Sequence, residues 1–295
     1  MRVRKAVIPA AGLGTRLLPA SKSLPKEMIP LVDRPGIQYV VEECARAGIR
    51  DVLVITSRGK ATMEDHFDRS LELEERLEKS GKRDELDEVR AVAGIANVHY
   101  VRQKEALGLG HAVAAARSFV GDEPFAVLLP DEIVPAPLGD EPPLLERMID
   151  AHERDGVSVI AVRRVPPDRV SAYGIVAPAG DLRDDFVPIS DIVEKPAAAD
   201  APSDLAAVGR YLLAPEVFDA LDEAAPSVGG EIQLADGIRA LVDSPGVYAY
   251  AHRGPIYDVG KKLDYVKGTI QLALRRDDVG PALKSWLREL LADAE

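Results

Sequence analysis

The sequence predicts an α/β protein in which helices cover both faces of a mixed, mainly parallel sheet. Short apolar runs bounded by turn residues alternate with helical patterns along the first half of the chain. Strands separated by helices need crossover connections, which favour parallel pairing. The composition agrees, because 46% hydrophobic and 29% charged residues over 295 positions are typical of a globular protein with a sizeable core.

The first half of the chain contains four predicted strands and three predicted helices. The strands are expected at 6–9, 52–56, 98–102 and 125–130, and the helices around 37–45, 111–119 and 144–154. The first helix has apolar residues at i, i+3, i+4, i+7 and i+8 and stops at Gly48. Because ligands bind beyond the carboxyl ends of parallel strands, the loops that begin at Ala10 and Asp131 are the expected site.

The remaining segments differ from this alternation. Residues 68–90 mix dense charge with sparse leucines, which predicts solvated helices on an insertion. After about residue 165, strands are expected around 173–176, 189–193 and 208–213, and helices at 215–224, at 230–241 and from 261 to the end. The chain is therefore divided into 1–165, 166–260 and a C-terminal helical tail, 261–295.

Charge and cysteine content exclude several classes of protein. A net charge of -12 argues against binding nucleic acid through a run of phosphates, so no nucleic-acid partner is expected. Cys44 is the only cysteine, which excludes a disulfide within the chain and thiolate metal sites, and it is expected to be a small buried apolar residue. The N-terminal apolar stretch is too short for a signal peptide and no run could span a membrane. A cytoplasmic protein with no membrane partner is expected.

The loop after the first strand, AAGLGTRLLP, has features of a phosphate cradle. Small residues at positions 10–12 and 14 let backbone N–H groups approach a phosphate, and Arg16 adds a forked positive charge. It is not a Walker loop, and Leu17 stands where a dinucleotide fingerprint needs its third glycine. Taken alone, the loop is equally compatible with a tight structural turn.

A second motif follows at Pro25-Lys26-Glu27-Met28, and the two together are more specific than either. The combined pattern GxGTRxxPxxxxxPKEMxP resembles the signature of sugar-nucleotide pyrophosphorylases, and in detail that of bacterial UTP:glucose-1-phosphate uridylyltransferases. The resemblance covers essentially the whole chain. It continues in family order through HFD at 66–68, VRQKEALGLGHAV at 101–113, LLPDEIV at 128–134, VEKP at 193–196, VGRY at 208–211, GEIQLADGI at 230–238 and YDVGKKLDY at 257–265.

The resemblance implies a fold and a reaction. The fold would be a Rossmann-like nucleotidyltransferase α/β/α sandwich with a sugar-binding lobe, the first half binding the nucleotide and the second the sugar phosphate. The reaction would transfer the uridylyl group of UTP to α-D-glucose 1-phosphate, giving UDP-glucose and pyrophosphate. Mg²⁺ would be required, and the protein would be a homo-oligomer, a dimer or a tetramer.

The resemblance also assigns roles to individual residues. Arg16 and Lys26 would hold the triphosphate, Lys195 the sugar phosphate, and Asp131 and Asp258 the Mg²⁺, which typically takes one or two carboxylates. Gln103 would read the uracil, since its amide offers a donor and an acceptor. The other substrate-binding residues would be Ala10, Ala11, Gly12, Gly14, Thr15 and Glu27 in the two motifs, Gly108 at the base, and Gly174, Glu194 and Gly209 at the sugar.

Two alternatives stay open at this point. A glucose-1-phosphate thymidylyltransferase shares the loop and both aspartates, although KEM, HFD and the charged insertion favour the uridylyl reaction. A catalytically silent sugar-nucleotide sensor is the other, although such a protein has little need of paired metal carboxylates. The sequence departs from the family pattern at Gly230, Lys261 and Asp264.

Overall fold

Thirteen β-strands occur in residues 2–139 and 141–292, the part of the chain that the computed structural model describes. They are β1 (Lys5–Pro9), β2 (Pro30–Leu31), β3 (Arg34–Pro35), β4 (Asp51–Thr56), β5 (Asn97–Arg102), β6 (Phe125–Leu128), β7 (Glu132–Ile133), β8 (Ser158–Arg164), β9 (Gly174–Pro178), β10 (Phe186–Glu194), β11 (Leu205–Leu213), β12 (Val247–Ala251) and β13 (Tyr257–Asp258). Nine form one sheet in the order β5-β4-β1-β6-β11-β8-β12-β10-β9, while β13 pairs with β7 and β2 with β3.

Eleven α-helices occur in the same described residues. They are α1 (Gly36–Arg46), α2 (Thr62–Phe67), α3 (Leu71–Lys79), α4 (Arg83–Ala93), α5 (Leu109–Ala114), α6 (Arg117–Val120), α7 (Leu144–Asp155), α8 (Val217–Glu223), α9 (Leu234–Arg239), α10 (Lys262–Leu274) and α11 (Gly280–Ala292). None of the described helices combines the length and the apolar character needed to cross a membrane.

The sheet changes character along its width. Strands β5, β4, β1 and β6 are parallel, as crossover helices require, whereas β11 runs antiparallel to both of its neighbours, β6 and β8. Strands β9 and β10 form an antiparallel pair, because a short connection replaces a crossover helix there. All nine residues of β11 are buried, so it is a central strand of the sheet.

Two apolar layers pack on opposite faces of the sheet. Ile8 of β1 packs in one layer with Val40 of α1, while the adjacent Val7 packs in the other with Val113 of α5. This alternation follows from the period of two in a strand. Cys44 is fully buried in the first layer, as predicted.

The predicted fold class is confirmed, with some differences in the elements. The predicted strands correspond to β1, β4, β5, β6, β9, β10 and β11. Strands β8 and β12 of the main sheet and the two-residue strands β2, β3, β7 and β13 are additional. The helix expected at 111–119 is divided into α5 and α6, because the N–H of Ala116 bonds to the carbonyl of Val113, three residues back. The boundary expected at residue 165 marks no break in the sheet, since β11 lies between β6 and β8.

The charged insertion forms α3 and α4, which pack against each other. Glu74 of α3 accepts hydrogen bonds from Arg69 and from Arg90 of α4, and these bonds lower the pKa of Glu74 to about 2. Leu71 and Leu73 are exposed, so most of the insertion is solvated, as predicted.

Candidate active site

Two adjoining cavities open at the carboxyl edge of the parallel strands. One, about 280 Å³, is bounded by the loop after β1 and by residues 103–112. The other, about 390 Å³, is bounded by residues of β9, β10 and the 258–261 turn. Asp131 and Leu129 line both cavities, so the two spaces meet at the end of β6.

Asp131 and Asp258 lie next to each other although 127 positions separate them in the chain. Strand β13 pairs with β7, and the N–H of Val259 donates to the carbonyl of Asp131 at 2.8 Å. Gly260 shows how closely the carboxylates converge. A Cβ on Gly260 would lie 3.0 Å from Asp131 Oδ2 and 3.2 Å from Asp258 Oδ1.

This arrangement fits a divalent cation shared with a substrate. Two carboxylate oxygens face one small space, and no described group of three or more His, Cys, Asp or Glu side chains could hold a metal. Mg²⁺ prefers such sites, in which phosphate and water oxygens complete its octahedron.

Cations of the same chain surround the two carboxylates. Lys26 Nζ lies 2.6 Å from Asp131 Oδ2, Arg16 Nη2 lies 3.3 Å from it, and Lys261 Nζ lies 2.7 Å from Asp258 Oδ2. Burial alone would raise the pKa of Asp131, but Lys26 and Arg16 outweigh it and hold that pKa below its usual range. Lys261, a departure from the family pattern, thus compensates charge in the cleft.

The residues of the loop after β1 differ in where they lie relative to the smaller cavity. Ala11 and Gly12 line the smaller cavity, whereas Ala10 is buried below it and Thr15 is exposed at its outer end. Gly14 has φ +66°, and a Cβ there would lie 3.0 Å from Cβ of Lys26, so this glycine lets the two motifs touch.

Glu27 has a different environment from the one expected of a substrate-binding carboxylate. It forms part of the cavity wall, but its side chain is buried and its carboxylate is bound to Lys60 Nζ at 3.0 and 3.2 Å. Burial raises the pKa of Glu27, and Lys60 opposes that shift. The Glu27 carboxylate therefore forms a buried ion pair with Lys60.

The amide of Gln103 is held in one orientation. Its Nε2 donates to the carbonyl of Gly108 at 3.1 Å and lies 2.9 Å from Nδ1 of His111. A carbonyl can only accept, so the amide nitrogen must face Gly108 and Oε1 must face the other way. Both N–H donors of the amide are therefore used within the chain, which leaves Oε1 as the group of Gln103 that can accept from a ligand in the cavity it lines.

Gly108 lies at the start of α5, beside Gln103. Its φ is +106°, and a Cβ there would come within 2.6 Å of the carbonyl of Ile232. Both the backbone conformation and the space therefore require glycine at this position.

Glu194 and Lys195 line the larger cavity together. Successive residues of a strand would face opposite sides, but Lys195 has φ +46°, which turns it back toward Glu194, and the two side chains pair at 2.9 Å. Gly174 lines the same cavity, and a Cβ there would lie 3.1 Å from Glu194 Oε2.

Gly209 serves a different purpose from the one expected of it. It is buried and lies beneath the wall of the larger cavity, where a Cβ would come within 2.5 Å of Leu129 Cβ. Its N–H donates to Glu132 Oε2 at 3.1 Å. The missing side chain makes room for the loop that carries Asp131, not for a sugar ring.

Arg210 is a site-supporting residue that the sequence reasoning missed. It is completely buried, and its guanidinium donates to the carbonyls of Leu129 and Glu132, on either side of Asp131, and to the carboxylate of Glu43. The only available signal was an arginine inside an otherwise apolar strand, in VGRY.

A third cavity, about 740 Å³ and separate from the two active-site cavities, lies between α7, residues 179–188 and β12. Arg147, Arg154 and Arg183 share its wall with Asp150, Asp181 and Asp184, so its charges are mixed. None of the predicted site residues lines it.

Comparisons with known proteins identify the family of the chain. The model of the nucleotidyl transferase family matches residues 5–274. A UTP–glucose-1-phosphate uridylyltransferase of Streptococcus pneumoniae is 48% identical over 98% of this chain and 96% of its own length. The uridylyltransferase 2 of Staphylococcus saprophyticus is 47% identical over 98% of both chains.

A solved structure is similar across nearly the same length. It is a UTP-bound UGPase from Acinetobacter baumannii, with a TM-score of 0.90 and 43% identity over 98% of this chain and 99% of that chain. From the family match and the extent of these likenesses, the chain belongs to the nucleotidyl transferase family.

Proposed function

We propose that this chain transfers the uridylyl group of UTP to α-D-glucose 1-phosphate, giving UDP-glucose and pyrophosphate. The observation that carries the proposal is the meeting of two cavities at a pair of carboxylates surrounded by cations. The smaller cavity suits a pyrimidine and the larger one a hexose phosphate. The relatives named as uridylyltransferases and the UTP-bound neighbour support the same reaction.

The chemistry needs alignment and neutralisation more than proton transfer. A phosphate oxygen of glucose 1-phosphate forms a bond to the α-phosphorus of UTP while the bond from that phosphorus to the bridging oxygen of pyrophosphate breaks. The nucleophile is already ionised, so no general base is needed. The obstacle is repulsion between two anions.

The cations of the cleft would reduce that repulsion by neutralising the phosphate charges. Arg16 and Lys26 are assigned to the triphosphate and Lys195 to the sugar phosphate. These side chains pair with Asp131 and Glu194, so binding of the substrates would exchange carboxylate partners for phosphate oxygens. Pairing of this kind keeps the cations near their working positions before the substrates arrive.

Mg²⁺ is proposed as the cofactor, held by Asp131 and Asp258. When bound, it would polarise phosphate oxygens and neutralise their charge. The convergence of the two carboxylates supports this assignment.

Base selection is the sharpest test of the proposal. Thymine presents the same imide edge as uracil and differs by one methyl group, which is worth about 1 to 3 kcal/mol in a tight pocket. We expect UTP to exceed dTTP at least about tenfold in kcat/KM, with dUTP intermediate and the purine nucleotides poor. Pyrophosphate release over a matrix of nucleoside triphosphates and sugar 1-phosphates measures this.

The outcomes of that matrix separate the alternatives. If dTTP equals or exceeds UTP, the reaction is that of a thymidylyltransferase. If no pair releases pyrophosphate while UDP-glucose still binds, the chain is a silent sensor.

We also propose a homo-oligomer, a dimer or a tetramer, in the cytoplasm. The supporting feature is the apolar surface of the C-terminal helices, defined by Leu263 and Val266 of α10 and by Trp286, Leu290 and Leu291 of α11. These five side chains are each about half exposed or more, and a second copy is the occupant that would cover them.

A further inference from the structure

Lys60 is a buried lysine that lies behind the nucleotide cavity and lines neither active-site cavity. It follows β4 in the chain, and its side chain is only 7% exposed. A lysine rarely occupies such a position unless every charge and hydrogen bond of its ammonium group is matched. The groups that contact the Lys60 ammonium therefore indicate the role of this residue.

All three hydrogens of the ammonium group have acceptors. Nζ lies 2.5 Å from the carbonyl oxygen of Ala10, 2.7 Å from that of Gly12, and 3.0 and 3.2 Å from the two carboxylate oxygens of Glu27. Burial lowers the pKa of Lys60, and Glu27 offsets part of that shift. Two of the three partners are thus backbone atoms of the loop after β1.

Holding these two carbonyls determines where the neighbouring N–H groups point. The C=O and N–H of one trans peptide plane point in opposite directions. With the oxygens of Ala10 and Gly12 drawn toward Lys60, the N–H groups of Ala11 and Leu13 point away from it. Neither N–H finds an acceptor elsewhere in the described chain.

The third contact extends the same control to the second motif. Glu27 is adjacent to Lys26, which is bound to Asp131 at 2.6 Å. One ammonium group therefore fixes the backbone of the loop and the segment that carries Lys26.

We propose that Lys60 is a positioning residue that aims the N–H groups of Ala11 and Leu13 at the phosphates of the nucleotide. This inference rests on the proposed function, because it takes UTP as the ligand of the smaller cavity. Lys60 acts through the loop and does not contact the substrate.

The test separates loop positioning from the stability of a buried ion pair. Lys60→Met alone would strand the Glu27 carboxylate, so the informative variant is the double change Lys60→Met with Glu27→Leu, which removes both charges. The matched control is Lys79→Met with Glu75→Leu, an exposed lysine–glutamate pair on α3. Melting temperature, calorimetric binding of UTP, and the KM for glucose 1-phosphate are measured for each.

We expect the Lys60 double variant to bind UTP about 10- to 100-fold more weakly, since two backbone donors lose their alignment. Its KM for glucose 1-phosphate should change less than about threefold, and the control should match the wild type. A double variant that melts within about 2 °C of the wild type and binds UTP equally well would overturn the proposal.

A measurement on the wild type keeps the test decisive if the variant fails to fold. In ¹H–¹⁵N spectra, the amides of Ala11 and Leu13 should shift on addition of UTP, as expected for N–H groups that gain a phosphate acceptor. Unmoved amides would refute the role of Lys60. A wild type that binds UTP but releases no pyrophosphate with any sugar phosphate would instead refute the proposed function and leave this inference standing.

Discussion

Each carboxylate of the cleft already has a cationic partner from the same chain. Asp131 is bound to Lys26 and Arg16, and Asp258 to Lys261. Exposed ion pairs contribute little to stability, and two of these cations are substantially exposed, Arg16 at 57% and Lys261 at 35%. Their substitution should therefore affect chemistry more than folding.

Asp131→Asn and Asp258→Asn should each remove most of the activity while leaving the fold intact. Each change removes a negatively charged oxygen ligand but keeps the shape of the side chain. Pyrophosphate release measures activity, the melting temperature checks folding, and binding of Mn²⁺ in the presence of UTP reports the metal site. Normal turnover in either variant would refute the metal assignment.

Lys195 provides a test of charge in the transition state. Lys195→Met removes the ammonium group and shortens the side chain by one atom, and both residues are unbranched at Cβ, so the φ of +46° imposes a similar constraint. We expect turnover to fall about 10²- to 10³-fold if the ammonium group acts mainly in the transition state. If only the KM for glucose 1-phosphate rises, Lys195 is an anchor for the substrate.

The fixed amide of Gln103 makes a prediction about cytosine. In the proposed complex Oε1 would accept from the N3–H of uracil, whereas N3 of cytosine is itself an acceptor and would face Oε1 without a hydrogen. We expect CTP to be at least about 100-fold poorer than UTP in kcat/KM. Gln103→Met should bring the two nucleotides closer, and Gln271→Met, an exposed position on α10, should not. An unchanged ratio in Gln103→Met would contradict this assignment.

At the scale of elements, the site depends on how β11 meets the end of β6. Arg210 of β11 reaches across to Glu43 of α1 and holds the carbonyls that flank Asp131. Burial would lower the pKa of Arg210, but Glu43 outweighs it and raises that pKa above its ordinary value. One ion pair therefore joins a helix, a strand and the loop of the site.

Arg210→Met should destabilise the chain by about 3 to 5 kcal/mol, because it leaves the Glu43 carboxylate buried without a partner. The double variant Arg210→Met with Glu43→Leu should recover most of that loss. Denaturant unfolding of the two variants and the wild type measures the difference. Equal stability of the single and double variants would show that the pair does not act as a unit.

Sequence reasoning predicted features that are encoded locally. The strand ends carrying the loop and Asp131 and the apolar face of α1 follow from the periodicity of apolar residues and from the turn residues that bound them. Features that depend on distant residues were not predicted. Lys60 and Arg210 read as ordinary basic residues in the chain, because the carboxylates that pair with them lie 33 and 167 positions away.

Two assigned roles differ from the observed placements, again because the residues in question have partners that are distant in the sequence. The carboxylate of Glu27 is bound to Lys60, although Glu27 forms part of the cavity wall, and Gly209 makes room for Leu129. In both cases a motif position was assigned a substrate contact, whereas the structure gives it a partner within the protein.

For the whole molecule, the exposed apolar surface of α10 and α11 predicts self-association. Trp286→Glu together with Leu290→Glu should shift the protein toward the monomer, because two charges would have to be buried in the contact. Light scattering at micromolar concentration measures the mass, and Lys284→Glu, exposed on the same helix, serves as the control. A wild type that is already monomeric would remove the proposal.

The placement of β11 has a consequence for how this protein folds during translation. Its two neighbours, β6 and β8, are synthesised well before it, so during translation they present two unpaired strand edges with nothing between them. The nascent chain cannot complete its sheet until β11, residues 205–213, and then β12, residues 247–251, have left the exit tunnel. Its first half is therefore open to aggregation for that interval, and a chain stalled near residue 165 would be a substrate for chaperones.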